Sequence, residues 1–107
     1  MIQAFAAVVG PTHVLTGTAT VPFLTDWRDR YTGCALAVVL PGTTEEVAAV
    51  VALCARHGVP IVTQGGNTGL CGGATPDDSG RAIVLSTRRL SAVLALDPDN
   101  DTITVQA

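Results

Sequence analysis

The chain has 107 residues, 48% of them apolar and only 14% charged, with a formal net charge of −3. A chain of this size buries roughly 65% of the surface its unfolded form exposes, enough for one small domain. All six basic residues are arginine, and they form no basic run, so the composition argues against a nucleic-acid-binding or anionic-membrane surface. The three cysteines, Cys34, Cys54 and Cys71, share no CxxC spacing and suggest neither a disulfide framework nor a zinc site. They read as reduced thiols, and with no basic n-region at the start and no apolar stretch of membrane length, the expected compartment is the cytoplasm.

Residues 2–9 predict a short helix stopped by Gly10-Pro11. The stretch from Thr16 to Asp29 is polar, Thr-rich and irregular, and residues 1–24 read as an N-terminal leader ahead of the first, incomplete half of a domain at 25–107. LAVVL (36–40) is an apolar run of strand length ended by Pro41-Gly42. Thr43 and Glu46 have capping-box spacing, and Val47, Val50, Val51 and Cys54 fall on one helical face. Arg56 and His57 suit the negative end of that helix, and Gly58 supplies its stop. VPIVT (59–63) is a second strand, completing a βαβ unit with parallel strands. AIVLS (82–86) is a third strand, and 91–97 with 102–107 read as a hairpin about the Asp/Pro/Asn cluster. The fold class expected is α+β, a βαβ unit followed by antiparallel strands. The last strand ends in mid-pattern, which leads us to expect an N-terminal piece of something larger.

Between the second and third strands lies QGGNTGLCGG, with five glycines in the nine residues from Gly65 to Gly73. So much glycine costs backbone entropy on folding and needs a reason. A Walker A loop requires a lysine, and the chain has none. The Rossmann spacing of glycines never occurs, and a turn and strand follow instead of a helix. A plain surface loop remains an alternative, but the loop leaves the carboxyl end of a strand, where open α/β sheets place ligands. From Gln64 to Gly80 there is no basic side chain, so an anion held there rests on peptide N–H groups. Bonds to a charged acceptor contribute about 1.5–3 kcal/mol each, so four supply roughly 6–12 kcal/mol gross. In this reading Gly66 and Gly69 take the positive φ angles of an anion nest.

The stretch PIVTQGGNTGLCGGATP (60–76) resembles the pyrophosphate loop of the PCMH-type FAD-binding domain of the vanillyl-alcohol oxidase superfamily. The match is closest to its D-2-hydroxyglutarate dehydrogenase, D-lactate dehydrogenase and glycolate oxidase D-subunit group. TDWRDRYTG (25–33), PGTTEEV (41–47) and LSTRRLSAVLALDPDNDTITVQA (85–107) follow that group's pattern in order. The resemblance implies FAD as cofactor, with its pyrophosphate along Gln64, Gly65, Gly66, Asn67, Thr68, Gly69 and Leu70, and at Gly72 and Gly73. It places Pro41 near the adenine end and Ser86 near the flavin or ribityl chain. Some members link FAD covalently through a histidine where this chain has Asn67, so non-covalent FAD is implied here. It further implies oxidation of a D-2-hydroxy acid, with the rest of the FAD domain and a substrate domain as partner structure. No position of this chain matches the family's catalytic base or substrate arginines, so the chain alone is expected to be inactive. Two other possibilities stay open: a non-catalytic or partner-dependent piece, and a phosphate- or nucleotide-binding module with no redox role.

The remaining conspicuous side chains read as structural. Cys71 reads as a small packing residue, Asp77 and Asp78 as turn residues, and Arg88-Arg89 as a solvated pair. Trp27 and Tyr31 read as a lid packed over the domain.

Overall fold

The computed structural model describes residues 1–107. In chain order the elements are α1 (Ile2–Val9), 3-10 turns at Pro11–His13 and Gly17–Phe23, β1 (Val14–Leu15), β2 (Ala37–Val39), α2 (Thr44–His57), β3 (Ile61–Gln64), β4 (Ile83–Ser86), β5 (Val93–Asp97) and β6 (Thr102–Val105). The main sheet has the order β1-β2-β4-β3, and β5-β6 form a separate antiparallel pair. β4 runs parallel to both β2 and β3, so Val84 sits between Val38 and Val62. The expected βαβ unit is therefore present with one strand inserted between its two strands. The two-residue β1, antiparallel to β2, is too short to leave a periodic signal in the sequence.

β2 and β4 read as unbroken apolar runs because both of their faces are covered. Ala37, Val39, Ile83 and Leu85 pack against Phe5 and Val9 of α1 and Val50 and Cys54 of α2. Val38 and Val84, on the opposite face, pack against Phe23. The first 24 residues thus supply core on both sides of the sheet.

α2 starts and stops as its sequence dictates. The Thr43 hydroxyl accepts from the Glu46 N–H at 3.1 Å, and Gly58 turns the chain in a left-handed conformation at φ 64°. The Glu46 carboxylate reaches one residue further back than a capping box requires and accepts from the Gly42 N–H at 2.6 Å. Arg89 meets the same carboxylate at 3.7 Å and donates to the Leu40 carbonyl at 2.8 Å. It is therefore a tie between the segments that follow β2 and β4, while Arg88 and Arg89 both stay exposed as the expected solvated pair. Its neighbour Arg88 lies over the Phe23 ring, 4.8 Å from the centroid. On α2, Val50 and Cys54 are buried, but Val51 stays open on a cleft of about 420 Å³ that Val47, Ile61, Leu85, Leu90 and Ala107 also line.

The β5-β6 hairpin is exposed along its whole length. Cross-strand pairs Val93–Val105 and Leu96–Ile103 give it apolar pairs that nothing in the chain covers.

Candidate functional site: a main-chain anion loop at the carboxyl edge of the sheet

Gln64 and Ser86 are cross-strand partners at the carboxyl ends of β3 and β4, and Pro41 lies just beyond the end of β2. All three are buried. They mark the edge of a parallel sheet where α/β folds bind ligands, and the glycine loop rises from it. Gln64 leads into the loop and its Nε2 donates to the Ala74 carbonyl at the loop's far end and to the Phe23 carbonyl of the preceding 3-10 segment, each at 2.9 Å. Its Oε1 is buried without a partner. The Ser86 hydroxyl accepts from the Arg88 N–H at 3.4 Å.

Between Gln64 and Ala74 the loop has an unusual donor pattern. No N–H from Gly65 to Ala74 donates to an acceptor within the chain, and none of these residues is proline. The segment is largely exposed, so these donors are open to water. Such a run of amides without competing carbonyl partners suits an acceptor-rich, negatively charged ligand.

The glycines play a different part from the one expected. Positive φ occurs in the loop at Asn67 (55°) and Gly72 (79°), not at Gly66 or Gly69. A Cβ added at Gly69 or Gly73 meets nothing within 4 Å, and at Gly65 and Gly66 only ordinary contacts at 3.7 and 3.9 Å. Neither backbone strain nor internal crowding therefore demands glycine at these four positions. What their missing side chains leave is clear approach to the peptide plane. At Gly72 the chain itself makes the demand, because a Cβ there would lie 3.1 Å from the Tyr31 ring.

Asn67 is likewise engaged within the chain, its Nδ2 donating to the Thr25 carbonyl at 2.8 Å. The carboxylate of Asp26, beside it, is 4% exposed, and its Oδ1 accepts from the N–H groups of Arg30 and Tyr31 at 2.7 and 2.9 Å. Those bonds, the Tyr31 one foremost, hold Asp26 below the usual carboxylate range. Sequence reasoning passed over Asp26. The signal available was a single Asp followed four and five residues later by the chain's return toward Gly33.

Other expectations are corrected. Cys71 is exposed and lines a polar cleft of about 430 Å³ together with Arg30, Tyr31, Thr75 and Asp77. Trp27 is 68% exposed, so only Tyr31 of the expected lid packs on the loop. Asp77 is a turn residue as expected, accepting from the Ser79 hydroxyl and N–H, which lower its pKa. Cys54 is buried in the core, and burial pushes its thiol up.

A mostly parallel sheet with a glycine-rich loop of unengaged amides at its carboxyl edge is the arrangement of an α/β ligand-binding domain. The profile of the FAD binding domain family matches residues 35–107, and the chain belongs to that family. It is 37% identical over 81 residues to the glycolate oxidase subunit GlcD of Bacillus subtilis, covering 76% of this chain and 17% of that one. To the D-2-hydroxyglutarate dehydrogenase of Xanthomonas citri pv. viticola it is 44% identical over 82 residues, covering 77% and 17%. The fold is that of the PCMH-type FAD proteins. An alkyldihydroxyacetonephosphate synthase superposes with a TM-score of 0.81 at 22% identity, over 98% of this chain and 23% of that one. A p-cresol methylhydroxylase does so at 0.71 and 26%, over 92% and 20%. The chain spans about a sixth of the length of the two sequence relatives. No helix is long and apolar enough to cross a membrane.

Proposed function

We infer that residues 64–73 hold the pyrophosphate of a non-covalently bound FAD, through main-chain N–H groups. The observation that carries this is the run from Gly65 to Ala74 with no internal acceptor, over glycines whose Cβ positions lie open. Gln64 sets the loop's base, and Pro41 and Ser86 border the same edge of the sheet. An amide at position 67, already engaged with Thr25, offers no nucleophile for a flavin linkage. When bound, the flavin supplies a two-electron acceptor. The likeness to GlcD and to D-2-hydroxyglutarate dehydrogenase supports a D-2-hydroxy acid as the substrate class of the complete protein.

This chain contributes binding and not turnover. Association costs ~4–15 kcal/mol, comparable with the gross worth of four charged-acceptor bonds. The 107-residue chain on its own therefore binds FAD weakly and oxidises no hydroxy acid. The test is titration of the chain with FAD, ADP and riboflavin, followed by the amide resonances of residues 65–74. FAD and ADP should shift them, and riboflavin, which lacks phosphate, should not. Equal shifts with riboflavin would remove the pyrophosphate assignment. A phosphate-binding module without a redox role would give the ADP response while the protein completed by the rest of the FAD domain retained no flavin.

A further inference from the structure

The two left-handed residues of the glycine loop are held by one and the same neighbouring segment. Asn67 is tied to the Thr25 carbonyl, and Gly72 lies under the Tyr31 ring. That segment is a closed turn, bridged at its base between Thr25 and Thr32, whose hydroxyls lie 3.1 Å apart. Inside it the Asp26 N–H donates to the Tyr31 carbonyl at 3.1 Å while Asp26 Oδ1 accepts from Arg30 and Tyr31. One buried carboxylate thus fixes the return of the turn and, through it, the position of the Tyr31 ring.

We propose that the turn from Thr25 to Thr32 is the positioning element of the anion loop, with Asp26 and Tyr31 as its positioning residues, because it pins Asn67 and Gly72 and so orients the N–H groups between them before the ligand arrives. The proposal rests on reading residues 64–73 as the phosphate site. A glycine-rich loop has much conformational freedom to lose, and loss incurred on binding weakens affinity. Ordering it during folding removes that cost from the binding step. Asp26 Oδ2 is buried with no partner. A desolvated lone pair is unfavourable, so what favours the buried carboxylate here is the pair of bonds its other oxygen accepts.

The experiment uses the full chain, 15N-labelled, with Tyr31→Ala and Asp26→Ala against Tyr31→Phe and Asp26→Asn. Tyr31→Phe keeps the ring, and Asp26→Asn keeps an acceptor at the Oδ1 position. In the ligand-free chain the alanine variants should drop the order parameters of amides 66–73 toward about 0.6, with β2 and β4 staying near about 0.85. Inorganic pyrophosphate and FAD should then bind roughly tenfold more weakly, and the conservative variants should restore both readouts. A loop that stays ordered in both alanine variants overturns the proposal. Should those variants unfold, Asn67→Asp provides the same test, since Asp tolerates the left-handed backbone and cannot donate to the Thr25 carbonyl. If wild-type loop amides respond to neither pyrophosphate nor FAD, the phosphate reading itself fails. That outcome is separate from the relaxation result, which measures the turn's hold on the loop without any ligand.

Discussion

Asn67 donates from Nδ2 to the main-chain carbonyl of Thr25 across 42 residues of sequence, while its own backbone stands at φ 55°. Asn tolerates the left-handed region better than most residues, because its short polar side chain bonds locally and relieves the strain. Here the bond is to another segment, so one residue both shapes the loop and fastens it. An amide so engaged forms no bond to a flavin ring. Denaturing the FAD-loaded complete protein should release all flavin into the supernatant, and flavin colour remaining on polypeptide from this region would contradict the assignment of Asn67.

The carboxylates give the fold a signed pH dependence. Asp26, Asp77 and Asp97 all have pKa values below the usual 3.8, through bonds from Tyr31 and Arg30, from Ser79, and from Asn100 respectively. A depressed folded pKa stabilises above the unfolded value, and that contribution is lost as pH falls through the folded one. Stability should therefore be level from neutral pH down to about 4 and fall below it. Asp26→Asn should be less stable at neutral pH and show a shallower acid loss, measured by urea titration at several pH values. An identical acid slope in the variant would show that the Asp26 bonds carry no such linkage.

The elements with strong local signals were legible in the sequence. α2 carries its cap, its apolar face and its stop within 16 residues, from Thr43 to Gly58; the cap and stop appear as expected, and the face buries Val50 and Cys54 while Val51 stays open. The loop's location was equally plain, because glycine density and strand order are local facts. What stayed hidden was long-range. Nothing local tells that β4 inserts between β2 and β3, since three short apolar runs are interchangeable until register is set. The positive-φ positions were misassigned because glycine permits that conformation without requiring it, and the Thr25 contact that selects it at Asn67 lies 42 residues away. The role of Arg89 was invisible for the same reason, its acceptor Leu40 being 49 residues distant.

The glycines should separate into two groups on substitution. Gly72→Ala forces a Cβ into a left-handed residue and against the Tyr31 ring, which should cost roughly 1–2 kcal/mol of stability. Gly69→Ala and Gly73→Ala meet open space and should leave the melting temperature nearly unchanged. Gly69→Val should also fold, yet lose FAD retention in the complete protein, because the side chain occupies the approach to the peptide plane. Full flavin content in Gly69→Val and Gly73→Val together would show that the ligand does not come to this side of the loop.

The N-terminal residues offer the sharpest test of the core. Phe5 is fully buried among Val9, Ala37, Val39, Val50 and Ile83, so α1 covers one face of the sheet as α2 does. Truncating a buried Phe to Ala typically costs about 3–5 kcal/mol through lost burial and the cavity left behind. Domains of this kind have a total stability of about 5–15 kcal/mol, and small ones lie at the low end. Phe5→Ala should therefore unfold a large fraction of the chain at room temperature. Val21, 60% exposed, supplies the control, and Val21→Ala should change stability by less than about 0.5 kcal/mol. The measurement is far-ultraviolet circular dichroism through a thermal ramp. Loss of the transition in Phe5→Ala with a normal one in Val21→Ala is the expected result. A normal transition in Phe5→Ala would mean that the sheet does not depend on the Phe5 contacts of α1 for its folding.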